Sequence, residues 1–144
     1  MPVTSDNEVQ AAHSLFEEGI READRYKWIV SEKLGRDMGE EAFSDWFRKY
    51  WLPYCRYQRL EHVTGRKRWA EFPDCPSLFI LQLLERHDLL LDLILDRLLE
   101  GWENLDLITW GVIWGLPTDR IVRILEELNI NSARLDPMYE VNCY

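Results

Sequence analysis

Cysteine is scarce and poorly placed for a framework. There are three, Cys55, Cys75 and Cys143, with no C-x-x-C pair and an odd total. That argues against a closed disulfide scaffold. Long apolar runs are missing too. Even LFILQLLERHDLLLDLILDRLL is broken by charge every few positions, short of the about 18 apolar residues that a membrane span needs. The opening MPVTSDNEVQ has neither the basic nor the apolar region of a secretion signal, so a cytoplasmic, reducing location and no membrane partner are expected. No N-G, D-G or G-G turn separates alternating runs, which removes the usual signal for a β-hairpin. Internal repeats and low-complexity tracts are likewise missing.

Positive charge is in short supply. Seventeen Lys and Arg face 26 Asp and Glu, for a formal net charge of -9. Such a chain repels phosphate backbones as a whole, which speaks against a dedicated nucleic-acid binder. The sequence also has no glycine-rich phosphate loop, no nucleophile elbow and no histidine-centred triad. His13, His62 and His87 are dispersed, no E-x-x-H pair occurs, and Cys55 with His62 makes only two ligands. No catalytic residue, metal or cofactor is expected.

What is present is core material and helical pattern. Apolar residues make up 47% of the chain, including seven Trp, six Tyr and five Phe. A chain of this size buries about 70% of its unfolded surface without a staple. The pattern predicts a single all-α domain of five to six helices over 1–130, with an irregular tail over 131–144. Ser5 and Glu8 have capping-box spacing and open a predicted first helix that runs to Leu34, with Gly35 as its stop. Its apolar stripe runs through Val9, Ala12, Leu15, Phe16, Ile20 and Ala23, then on to Leu34. Trp28 falls outside that stripe. A second helix over about 40–64 contains Pro53, which should kink or split it. FPDCPS reads as a loop, and Ser77 opens a Leu-rich stretch closed by Gly101. Periodicity leaves open whether that stretch is one helix or two joined near His87 and Asp88. A short helix begins at a cap on Asn104 or Asp106, and a last one runs from Thr118 to Leu128.

The stretch WFRKYWLPYCRYQRLEHVTGRKRW, residues 46–69, holds seven aromatic and seven basic residues. On a helical wheel with Arg48 at zero, Arg59, Arg56 and Lys49 fall at about 20°, 80° and 100°. Six aromatics fall on the opposite side, from Trp46 at about 160° to Trp51 at about 300°. A single-strand stacking platform needs rings and cations in one groove, so this segregation argues for rings in the core and a solvated basic stripe. Arg66, Lys67 and Arg68 extend the stripe, which is a candidate site for phosphate, an acidic partner or nucleic acid. An acidic ridge complements it. Glu85, Asp88, Asp92, Asp96 and Glu100 line up on one helical face.

Residues 105–125, LDLITWGVIWGLPTDRIVRIL, place Gly115 in a turn, small Gly111 four positions earlier, and Ile121, Ile124 and Leu125 where a following helix must be buried. Over these 21 residues the spacing resembles the helix-turn-helix unit of bacterial regulators. The outer face of the last helix, with Asp119, Arg120, Arg123, Glu126 and Glu127, lacks the cation- and amide-rich character of a DNA-reading helix. The preceding helix is apolar almost all round, which suits burial or a subunit interface. The leading expectation is therefore a non-catalytic regulatory or adaptor protein that binds another protein or a second copy. A helix-turn-helix transcription regulator is the first alternative, with nucleic acid held through the basic stripe. An enzyme or small-ligand binder with an aromatic pocket is the second.

Overall fold

A computed structural model describes residues 12–137, and its regular structure is helical. The described residues open extended at His13. His13 N–H donates to the Arg68 carbonyl (3.0 Å) and Ala70 N–H donates to the His13 carbonyl (2.7 Å). Helix α1, Leu15–Leu34, then starts at Ser14, whose hydroxyl oxygen accepts the Glu17 N–H. Glu71 anchors the same turn from across the fold, accepting the Leu15 N–H at 2.8 Å and the Ser14 O–H at 2.9 Å. The predicted continuous helix to Leu34 is thereby corrected: backbone pairing of His13 with residues 68–70 and the extended Ser14 cap keep residues 13 and 14 out of the helix. Ser5, Glu8 and Val9 lie outside the described residues. The buried face of α1 is also narrower than the predicted stripe, consisting of Leu15, Gly19 and Ala23, while Ile20 and Leu34 are exposed. Small size at Gly19 sets the approach, since a Cβ there would lie 2.7 Å from the Trp51 ring.

Helix α2, Gly39–Val63, runs unbroken through Pro53, whose ring sits on an exposed side of the helix. It serves two cores in turn. Its first half puts Trp46, Phe47 and Trp51 against α1, in an aromatic cluster completed by Trp69 and Phe72. Its last turns put Leu60 and Val63 into a larger aliphatic cluster.

That second cluster is built by four short helices. Ser77 caps α3, Leu78–Glu85, and Asp88 caps α4, Leu89–Leu99. The Leu-rich stretch is thus two helices, separated where His87 takes a positive φ of 54°. Helix α5, Asn104–Ile113, opens with a capping box between Glu103 and Asp106. Helix α6, Thr118–Leu128, follows across a turn at Gly115 and buries Ile121, Ile124, Leu125 and Leu128. A Cβ on Gly111 would lie 2.3 Å from Ile121 Cδ1, so α5 and α6 approach closely at this glycine. Beyond α6 the chain stays packed. A 3₁₀ turn, Ile130–Ala133, puts Ile130 into the aliphatic core and Ala133 into the aromatic one, and Leu135 accepts the Trp51 indole N–H at 2.7 Å. The part of the expected irregular tail up to residue 137 is therefore part of the body.

Candidate functional site

The basic stripe does not survive as one surface. Arg56 and Arg59 are only 7% and 1% exposed. The reason is packing: the first half of α2 presents this side to solvent, but its second half is covered by the end of α4, the 72–77 loop and the end of α6. Arg59 is spanned by Asp74 and by the Leu128 carbonyl. Arg56 donates to the Leu98 carbonyl (3.0 Å), the Trp102 carbonyl (2.5 Å) and Glu103 (3.1 Å), so it caps the C-terminus of α4 and holds the 98–103 connection. Glu103 in turn accepts Arg134 at 2.9 Å.

Four more members of the stripe are paired at the surface with the chain's own carboxylates. Arg48 and Lys49 share Asp45, Arg66 meets Glu61, and Lys67 meets Glu18 while lying over the Trp69 ring. Arg68 is exposed and has no ion pair with another described residue. The aromatic side is also mixed. Trp46, Phe47 and Trp51 are buried, whereas Tyr50 and Tyr57 are nearly half exposed.

The acidic ridge is shortened. Glu85 ends α3 and is cut off by the break at His87, and Asp88 is turned inward as the α4 cap, paired with Arg120 of α6 at 2.6 Å. Partial burial pushes the Asp88 carboxyl up, but the Leu91 N–H and Arg120 outweigh it and leave it below the usual carboxylate range. Asp92, Asp96 and Glu100 remain, one turn apart and exposed, with no ion pair to another described residue.

The all-round apolarity of α5 suits either burial or an interface, and the structure leaves much of it uncovered. Helix α5 buries Leu107 and Gly111, yet its other side is open: Leu105, Val112, Ile113 and Trp114 are 64–74% exposed. Asp106 and Trp110 lie one turn apart on α5, with Trp102 just before the helix and Trp114 at its C-cap. Together with Leu105 and Ile113 they line a surface trough of about 660 Å³ with Glu100 and Asp106 at its edge. Its floor is fixed. The Arg97 guanidinium sits 4.7 Å from the Trp110 ring centre and 5.4 Å from that of Trp102, and the two rings meet edge to face. The α5–α6 contact at Gly111 and Ile121 holds the helix from behind.

The trough has neighbours. A depression of about 360 Å³ over Pro53, Tyr57 and Leu98 shares Glu100 and Gly101 with it. A further groove of about 390 Å³, with Asp92, Leu95 and Asp96 in its wall, shares Tyr57 and Leu99 with that depression. The three make one track over the end of α4. Its chemistry is apolar below and acidic along α4, and the cations in its lining, Arg56 and Arg66, are paired with Glu103 and Glu61.

Other features of the molecule offer less. Trp28 is 65% exposed on α1 beside a polar hollow containing Lys27, Glu32 and Arg36. Cys75 is exposed, while burial pushes the Cys55 thiol up to about 12. His62 is saturated: Nδ1 accepts the Trp69 N–H at 3.1 Å, so Nε2 carries the proton and donates it to the Asp74 carbonyl at 2.6 Å. Among the described residues, no three His, Cys, Asp or Glu side chains are grouped to hold a metal ion, and no helix is long and apolar enough to cross a membrane. No protein-family model, curated protein or solved structure matches the chain.

Proposed function

We propose that this chain is a regulatory or adaptor protein that works by binding another protein, and that the tryptophan-lined trough on α5 is its docking surface. One observation carries the reading: three large apolar residues, Leu105, Ile113 and Trp114, stand 71–74% exposed and line one trough along α5 and its C-cap, on a helix held from behind at Gly111 and Ile121. Isolated exposed apolar residues are ordinary, but contiguous patches mark binding sites. Tryptophan anchors on a rigid support are also what concentrate binding energy in interfaces.

The alternatives have less support. Nucleic-acid binding through the basic stripe loses Arg56 and Arg59 to the interior and keeps Arg68 as its one exposed member without an ion pair among the described residues. A small-ligand or catalytic pocket needs enclosure and converging polar groups, whereas the trough is open and its walls are the most exposed side chains of α5.

The test is a comparison of the full chain with an Ile113→Glu/Trp114→Glu variant in cross-linking capture from the native cell. Both positions are exposed, so the variant should keep the helical circular dichroism of the parent. The reading expects a defined set of proteins to be captured by the parent and lost from the variant. An unchanged set would sink it.

A further inference from the structure

The trough is only part of the continuous track described above, and the rest of the track has a charge. Residues 85–106 carry seven acids against Arg86 and Arg97, a net of -5 with His87 neutral. Asp88 and Glu103 are consumed by Arg120, Arg56 and Arg134. Of the other five, Glu85 stands on α3 and Asp106 accepts the Glu103 N–H in the α5 capping box, while Asp92, Asp96 and Glu100, without an ion pair among the described residues, stand at i, i+4 and i+8, about 6 Å apart along α4. A row of unneutralised carboxylates beside an apolar floor is costly to cover with anything neutral. Whatever seats there must bring cations at the same spacing.

We infer that the occupant is a basic amphipathic helix of another protein, its apolar face on Ile113, Trp114 and Leu99 and its Lys or Arg residues one turn apart against Asp92, Asp96 and Glu100. This rests on the protein-binding reading above and names the partner's chemistry. Helix-in-groove docking lays the apolar face of an amphipathic helix into a hydrophobic groove, and a trough lined by Trp102, Trp110, Ile113 and Trp114 offers such a groove. A second copy of this chain is a poor occupant. Its stripe cations are inside or already paired with Asp45, Glu61 and Glu18, so a copy would offer Arg68 alone from that stripe. Nucleic acid and anionic lipid are repelled by the same carboxylates that attract a basic helix.

The experiment uses the full chain and two labelled helical peptides of about five turns. Both have a Leu/Trp face; one has Lys flanks and the other has Gln in their place. Anisotropy is read at low and physiological salt. The Lys peptide is expected to bind and the Gln peptide to bind at least about tenfold more weakly. Asp92→Lys/Asp96→Lys should weaken the Lys peptide by about tenfold or more and Ile113→Glu/Trp114→Glu should abolish binding, while Glu126→Lys on the outer face of α6 changes little. Equal loss from Glu126→Lys would show undirected charge attraction and overturn the inference. If both peptides bind equally, are lost with Ile113→Glu/Trp114→Glu and ignore the Asp reversals, the docking surface stands and its basic partner does not. If neither peptide binds, the basic helix is excluded; with unchanged cross-linking capture as well, both readings fall. A concentration-dependent dimer in sedimentation that Ile113→Glu/Trp114→Glu disperses would assign the surface to a second copy instead.

Discussion

Arg59 and Asp74 meet as a two-pronged pair, Nη1 to Oδ1 at 2.9 Å and Nη2 to Oδ2 at 2.7 Å, and the same guanidinium donates through Nε to the Leu128 carbonyl at 3.0 Å. One side chain thus ties α2 to the 72–77 loop and to the end of α6. The arginine is buried and the carboxylate is half exposed. Removing either partner therefore has unequal effects. Asp74→Asn strands a buried charge and is expected to destabilise by about 3 kcal/mol, toward the lower end for broken buried pairs because water reaches the Asp74 side. Arg59→Ala also leaves the Leu128 carbonyl unpaired and opens space, so about 3–5 kcal/mol is expected. Urea unfolding followed by circular dichroism measures both, and equal stability of Arg59→Ala and the parent would refute this role.

The same pair fixes how acid acts. Arg59's hydrogen bonds hold the Asp74 carboxyl below the usual carboxylate range, against an opposing push from burial, and Asp88 is likewise lowered. A carboxyl depressed on folding adds stability that is fully present above its unfolded value, about 3.9, and is lost as pH falls through the lower folded value. The stability gap between the parent and Asp74→Asn should accordingly be constant above about pH 5 and narrow below about pH 4. Chemical denaturation at a series of pH values tests this. A gap that widened on acidification would reverse the sign.

The all-helical architecture was legible because its signals are local. Ser77 does cap α3, and Gly35 does end α1, since a hydroxyl beside a free N–H and a left-handed residue after the last turn act within four residues of themselves. Ser5 and Glu8 carry the same kind of local signal but lie outside the described residues; what the described residues show is that no helix runs through residues 12–14 into α1. Glu71 and the backbone of residues 68–70, more than fifty positions away, decide where residues 13–15 go. Arg56 and Arg59 fail for a related reason. The wheel separated the two sides of α2 correctly at Trp46 and Arg48, but it treats a helix as having one outside. A 25-residue helix that crosses two cores has a different outside in each half. For α5, apolarity all round is compatible with burial or an interface, and which side stays open is visible only once α4 and α6 are placed.

Gly111 offers a sharp check on the α5–α6 corner. A Cβ there would lie 2.3 Å from Ile121 Cδ1, and Ile121 is fully buried, so the Cδ1 would have to swing within a packed core to make room. Alanine would ordinarily stabilise a helix interior by roughly 0.5–1 kcal/mol over glycine. Here overpacking should reverse that sign and cost about 1–3 kcal/mol. A thermal melt of Gly111→Ala that rose above the parent would show that the two helices do not meet this closely.

Nucleic-acid affinity can be separated from protein affinity by salt. A protein that neutralises about six phosphates loses on the order of a thousandfold in affinity between 50 and 200 mM salt. With two stripe arginines buried and four cations paired to the chain's own carboxylates, no such slope is expected. Anisotropy with a labelled random duplex and a labelled single strand should show no binding even at about 50 mM salt. Tight, salt-steep binding would require those ion pairs to open and would return the weight to a DNA-directed regulator.

Tryptophan emission reports on the two exposed anchors separately. Trp46, Trp51 and Trp69 are buried, Trp102 and Trp110 are partly covered by each other and by Arg97, and Trp28 and Trp114 stand in solvent. Most quenching by an added small solute should come from those last two. Trp114→Phe and Trp28→Phe should each remove a share of the quenchable emission without lowering stability, since surface substitutions of this kind stay within about 0.5 kcal/mol. Their responses to a partner should then diverge. If docking uses the α5 trough, binding shields Trp114 and leaves Trp28 as accessible as before, because Trp28 lies on α1, which takes no part in lining the track. Shielding of Trp28 with Trp114 still quenchable would move the docking surface to α1 and leave the trough without a role.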